Sequence, residues 1–246
     1  MVKGFRQIAS LTALSRVFGM VRDICYTSIF GAGPLLDAWF LAFKIPNLSR
    51  RLFGEGAASA SFIPVYSQQL HKEPEKAKNL ANTVITVVFV ILAALTLLGW
   101  AAIWAYSSFV GVYEDTALML SLTSIMFPYM IMVCSVALLA GVLNVHRHFA
   151  APAAAPIVLN IFIISTVLVT GLLMDVPRKQ QLFAIAVTVL LAGLVQIAIQ
   201  IPALRAHSVS IRPAWDIRSK AFRQVIIMMA PMIIGLTVTQ INTLAD

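Results

Sequence analysis

Two consecutive stretches, SLTALSRVFGMVRDICYTSIFGAG (residues 10–33) and DAWFLAFKIPNLSRRLFGEGAASASFIPVY (residues 37–66), decide how this chain is read. Both read as membrane-spanning helices, yet they carry eight formal charges: Arg16, Arg22, Asp23, Asp37, Lys44, Arg50, Arg51 and Glu55. A charged side chain at mid-bilayer costs about 2.5–3.5 kcal/mol on insertion scales, so eight facing lipid would cost on the order of 20 kcal/mol. The charges must therefore face one another or water. Ionisable residues held inside a membrane are functional-site candidates by default.

Helical geometry sharpens the expectation. If GAGP (residues 31–34) is a tight hairpin at one membrane face, depth counts outward from it at about 1.5 Å per residue. Arg22 then lies level with Lys44, and Arg16 level with Arg50, which gives two tiers of positive charge on antiparallel neighbours. Asp37, Lys44 and Arg51 are spaced by seven and share a helix face, while Arg51 and Glu55 are four apart and can pair. Five cations against three carboxylates leave a surplus suited to an anionic ligand. The competing reading is an interfacial amphipathic helix over residues 4–30 with its arginines among headgroups. Arg16 and Arg22 lie roughly 120° apart on a helical wheel, which does not make the narrow polar stripe such a helix needs.

The composition agrees with a membrane protein. The 246 residues are 60% hydrophobic and 11% charged, with mean hydropathy +0.89, where soluble domains run near 25% charged. The fold class expected is all-α, a polytopic integral membrane protein. The net charge of +8 names no nucleic-acid partner, because most of the basic residues fall in short loops, where they report orientation. Cys25 and Cys134 fall within spans and read as free thiols. Lys3 and Arg6 precede an apolar run, but Arg16 interrupts it and no small-residue cleavage site follows, so the first helix is expected to be retained.

Six spans and the start of a seventh are expected. The second helix, residues 35–68, would be about 50 Å long if straight, against a hydrocarbon core of about 30 Å, so bends are expected at Pro46 and at Gly54/Gly56. Later spans are expected near residues 80–109, 117–145, 152–174 and 182–204, with a seventh from Gln224 onward. Trp100, Trp104 and Tyr106 form an aromatic belt. Thr83, Thr86 and Thr96 read as helix-packing groups, and Asn160 as an interhelical hydrogen-bonding residue or a cavity liner. Gln196 and Gln200 lie four apart on one face. His146 and His148 flank Arg147 in a basic turn that lacks a third metal ligand. The basic stretch 205–223 has room for a short surface helix around Trp215. Counting loop charges places eleven Lys and Arg with the N-terminus and two, Arg178 and Lys179, opposite. The N-terminus is thus expected in the cytoplasm.

At this point a resemblance enters. SRVFGMVRD (residues 15–23), the stretch 37–65, FPY (127–129) and GVLNVHRHFAAPAAAPIVLN (141–160) closely resemble the MurJ/MviN family, bacterial lipid II flippases of the multidrug/oligosaccharidyl-lipid/polysaccharide exporter superfamily. The resemblance implies transport of undecaprenyl-pyrophosphate-linked disaccharide-pentapeptide from the inner to the outer leaflet of the inner membrane. It implies alternating access, with no enzymatic step, cofactor or metal. The partners implied are lipid II, membrane lipids and a second lobe. Essential cavity residues of the family map onto Arg16, Arg22, Asp37 and Arg50, with Asp23, Asn47, Glu55 and Asn160 as further candidates. Arginine suits a pyrophosphate because its planar fork binds two oxygens at once. Family members are about twice as long, with two six-helix lobes. Residues 1–223 are therefore expected to form an N-terminal lobe, and 224–246 to begin a second. A related exporter of glycans or drugs and a non-transporting binding module are the rival functions. A lipid-modifying enzyme is disfavoured, since the spans hold no DDxxD-like cluster or Ser/His/Asp set.

Overall fold

The computed structural model describes residues 2–51, 56–109 and 114–245. They form nine α-helices and, among the described residues, no strand: α1 (Val2–Phe30), α2 (Pro34–Ser49), α3 (Ala57–Lys72), α4 (Pro74–Phe109), α5 (Glu114–Val145), α6 (Ala150–Leu168), α7 (Arg178–Ala198), α8 (Ile201–Ala206) and α9 (Lys220–Ala245). Among the described residues four helical stretches have the length and hydropathy to cross a membrane: Pro74–Phe109, Thr116–Val145, Ala150–Leu173 and Arg178–Ala206. The protein is thus an all-α polytopic membrane protein.

Helix α5, without a formal charge from Thr116 to Val145, is the hub. It packs against α2, α3, α4, α6 and α7, and 61% of its apolar window is buried against 22% for α4. Lipid tails are as apolar as leucine, so helices in a bilayer associate through close packing rather than water exclusion. Two glycines supply the approach. A Cβ on Gly99 would lie 2.5 Å from the Phe127 ring, and one on Gly193 would lie 2.9 Å from Met132 Sδ and 3.2 Å from Tyr129. These contacts bring α4 and α7 onto opposite sides of α5.

The expected long second helix is interrupted. It stops at Ser49, Arg50 and Arg51 wind into a wider π-type turn, and helix resumes at Ala57 after Gly56. Pro46 stays inside α2 without ending it. The expected bend at Gly54, like Glu55, lies outside the described residues.

Two other expectations are corrected. The first is the paired-tier hairpin. Gly31 does make the turn, with a positive φ of 68° that glycine adopts without strain. Yet α1 lies along α6 and α2 along α5, and the two touch each other only sparsely, around Tyr26, Trp39 and Phe40. Each helix finds a better surface on the later helices than on its sequence neighbour, so the cationic tiers do not face across a hairpin. The second is the surface helix at Trp215. Residues 207–219 run as a non-helical strap along α4. There Asn82 Nδ2 donates to Ser210 O, Arg212 N donates to Asn82 Oδ1, Ala214 N to Thr86 Oγ1 and Asp216 N to Thr83 Oγ1. Side chains of α4 satisfy the backbone groups that a helix would have satisfied internally.

Candidate functional site

A cavity of about 640 Å³ opens between α1, α2, α3, α5, α6 and α7. Its charged lining residues are Arg22 and Arg50, and no carboxylate lines it among the described residues. Asn47, Asn144, Asn160 and Gln196 add amides, and Tyr26, Trp39, Phe43 and Tyr129 form an aromatic wall.

Sequence spacing builds each side of this wall. On α1, Ser15, Gly19, Arg22 and Tyr26 recur every three or four residues and share one face. Gly19 lets Asn160 of α6 approach, its notional Cβ lying 3.8 Å from Asn160 Nδ2. Asn160, 5% exposed, then works in two directions. Its Nδ2 donates to Ser15 O at 3.3 Å, and its Oδ1 accepts from Arg22 Nη1 at 3.1 Å. The other edge of the guanidinium is held by Asp23, whose Oδ1 accepts from Nη2 at 2.8 Å and from Nε at 3.0 Å. Arg22 is thereby fixed against α6.

On α2, Trp39, Phe43, Asn47 and Arg50 make the corresponding face. Trp39 stacks on Phe43 at 5.7 Å, and Phe43 stacks on Tyr129 of α5 at 6.1 Å. Ser49 Oγ donates to Met130 Sδ and Cys134 Sγ donates to Ser49 O, pinning the end of α2 to α5. Arg50 follows directly, its Nε donating to Asn47 Oδ1 at 3.4 Å. Two guanidiniums, one on α1 and one at the end of α2, therefore line one cavity, a chemistry that fits a multiply charged oxyanion.

The other sequence candidates fall elsewhere. Arg16 and Asp37 are exposed and do not line the cavity. Asp23 reaches the site only through Arg22, its side chain 59% exposed. Lys44 on α2 and Arg51 in the π-type turn after it are exposed and do not line the cavity. Glu55 lies outside the described residues. Sequence reasoning missed Tyr26, Trp39 and Phe43. The clue available was a spacing of four, Trp39 from Phe43, Tyr26 from Arg22 and Phe43 from Asn47. Cys25 and Cys134 are free thiols. The basic turn after α5 gains an unforeseen neighbour, since His207 stacks on His146. Among the described residues no His, Cys, Asp or Glu cluster has the geometry to hold a metal.

Comparison with known proteins places this architecture. The family model for the lipid II flippase MurJ matches residues 26–246. The chain is 33% identical to a probable lipid II flippase MurJ of Haemophilus influenzae over 96% of its own length and 48% of that protein's. To the lipid II flippase MurJ of Burkholderia cenocepacia it is 32% identical, over 97% of its own length and again 48% of the relative's. It superposes on a lipid II flippase MurJ in an inward closed conformation with a TM-score of 0.73 at 26% identity, covering 96% of this chain and 48% of that one. A transporter of the MOP superfamily from Pyrococcus furiosus shares the fold, with a TM-score of 0.70 at 11% identity. The chain spans about half the length of the curated relatives it matches, and it belongs to the MurJ family.

Proposed function

We propose that this chain forms the N-terminal lobe of a lipid II flippase in the bacterial inner membrane. The lobe moves an undecaprenyl-pyrophosphate-linked peptidoglycan precursor from the inner to the outer leaflet. Arg22 and Arg50 grip the pyrophosphate, with Asn47 and Asn160 orienting them, and the aromatic wall covers the site. Arg16, Asp23 and Asp37, exposed on this lobe, and Glu55 meet the substrate or a second lobe, supplied in the same polypeptide or separately. The two lobes rock about the cavity to expose it to each leaflet in turn. No bond is made or broken. The loop charges, eleven against two, favour a cytoplasmic N-terminus.

The observation that carries this reading is the pair of guanidiniums, Arg22 and Arg50, lining one intramembrane cavity, one of them aimed by a buried asparagine. The test is complementation of a flippase-depleted strain by a full-length family member whose N-terminal half is residues 1–246. Arg22→Ala and Arg50→Ala abolish growth while the protein still inserts, and Arg→Lys restores it only in part, because a point charge does not replace bidentate binding. Arg16→Ala reports whether a second lobe brings that outer face into the site, and loss of growth is expected. Normal growth of the Arg22 and Arg50 alanine variants at native expression overturns the reading.

A further inference from the structure

Three histidines and a tyrosine meet beyond one end of the cavity. Tyr66, fully buried near the end of α3, has its hydroxyl 3.0 Å from His146 Nε2. The His146 ring stacks on His207 with centroids 5.0 Å apart and planes 27° apart, and His148 meets His207 edge-on at 5.9 Å. The residues come from three elements, the end of α3, the turn between α5 and α6, and the end of α8. On the same elements Ile63 and Asn144 line the cavity, so the cluster closes the layer next to it.

Both stacked rings occupy the same local position. His146 follows the last residue of α5 and precedes Arg147, whose φ is 59°; His207 follows the last residue of α8 and precedes Ser208, whose φ is 57°. In each case the next amide closes the helix end, His148 N bonding to Leu143 O and Val209 N to Leu204 O, both at 2.9 Å. Two helix C-termini thus face each other through their capping imidazoles. A helix C-terminus favours a cation, but at 5.0 Å a positive charge on each of two stacked imidazoles would repel the other. The His146–Tyr66 bond adds to this. With the tyrosine hydroxyl donating, Nε2 must be unprotonated, and imidazolium removes that acceptor.

We propose that Tyr66, His146, His207 and His148 form a proton-sensitive latch that ties α3, the α5–α6 turn and α8 together when neutral and releases them when protonated. Among the described residues no ion pair joins these imidazoles to a carboxylate: on α4, which packs on α3, Glu75 is engaged by Lys78 at 2.8 Å, and Asp216 of the strap accepts from Asn79. Arg147 and His148 sit in the turn, Arg205 and His207 on α8, His71 and Lys72 on α3, and Lys220 and Arg223 on α9, which packs on α3. Glu73, the C-cap of α3, is engaged by Lys76 at 2.6 Å. Burial first, and His207 second, hold His146 below its ordinary pKa. The sign follows: the latch contributes its full stability above the free imidazole range near about 6.5, and loses it as pH falls through the lowered folded value. This inference stands apart from the ligand assigned to the cavity.

Hydrogen–deuterium exchange on the purified chain in nanodiscs, corrected for intrinsic exchange, tests the latch at pH 7.5 and 5.0. Protection of residues 143–150 and 203–210 is expected to fall at least tenfold at the lower pH. His146→Gln keeps an acceptor for Tyr66 but cannot titrate, and its protection changes less than twofold. His207→Phe keeps a stacked ring without charge and loses less than threefold, so a folding defect in one variant leaves the other decisive. Equal protection of the wild-type chain at both pH values, or undiminished pH dependence in either variant, overturns the latch. Protection at pH 7.5 that depends on added zinc and vanishes with EDTA also overturns it, making the triad a metal site.

Discussion

Asn160 shows how one amide sets the state of an arginine. It accepts from Arg22 and donates to the Ser15 carbonyl, so it aims the guanidinium without neutralising it. A carboxylate at the same place would hold Arg22 more tightly and, beside Asp23, leave the arginine between two negative charges. Asn160→Asp is therefore expected to melt no lower than the parent yet lose pyrophosphate-lipid binding by more than tenfold. Asn160→Ala removes a hydrogen bond to a charged group, worth about 1.5–3 kcal/mol, and weakens binding through disorder of Arg22. Thermal melting and native mass spectrometry with lipid II separate the two effects. Asn160 was legible in the sequence because an amide in an apolar span must find partners. The cavity face of α2 was not. Asp37, Lys44 and Arg51 are spaced by seven and catch the eye, but Trp39, Phe43, Asn47 and Arg50 lie roughly 100° around the helix from them. Formal charge marks that a helix is unusual; the aromatic partner on α5 decides which side turns inward. The same reasoning separates Arg22 from Arg16, whose roughly 120° offset keeps it off this lobe's cavity wall.

At the scale of elements, the strap over residues 207–219 depends on α4 side chains that recognise alternate backbone amides, those of Arg212, Ala214 and Asp216. Asn82 contributes two of the bonds. Asn82→Ala is expected to leave α4 intact and free the strap, so that trypsin cuts after Arg218 at least fivefold faster, measured by intact-mass time courses. An unchanged cleavage rate would show that Phe222 and Val225, buried at the start of α9, hold the strap without α4. Thr83 and Thr86 were read from the sequence as packing groups, and their polarity was visible there. Their partners, more than 125 residues away, were not, because side chain to backbone pairing over that distance leaves no periodic trace. The helices themselves were legible for the opposite reason. Apolar runs between loop charges locate α4 to α7 from local composition alone, whereas the choice of α6 over α2 as the partner of α1 rests on tertiary packing.

For the molecule as a whole, orientation is the property most open to measurement. Single cysteines at Gly33 and Glu114, in a background lacking Cys25 and Cys134, are expected to react with an impermeant thiol reagent from outside intact cells, and one at Lys76 only after lysis. Labelling at Lys76 with protection at Gly33 would invert the assignment. The uneven distribution of apolarity also bears on how the protein is made. The four stretches able to cross a bilayer by composition all begin at or after Pro74, whereas α1 and α2, with the cavity arginines, leave the ribosome first. Their packing surfaces are α6 and α5, which are synthesised about a hundred residues later. The order of synthesis therefore runs against the order of autonomous insertion. The charged N-terminal helices gain their packing surfaces only once the late helices have been made.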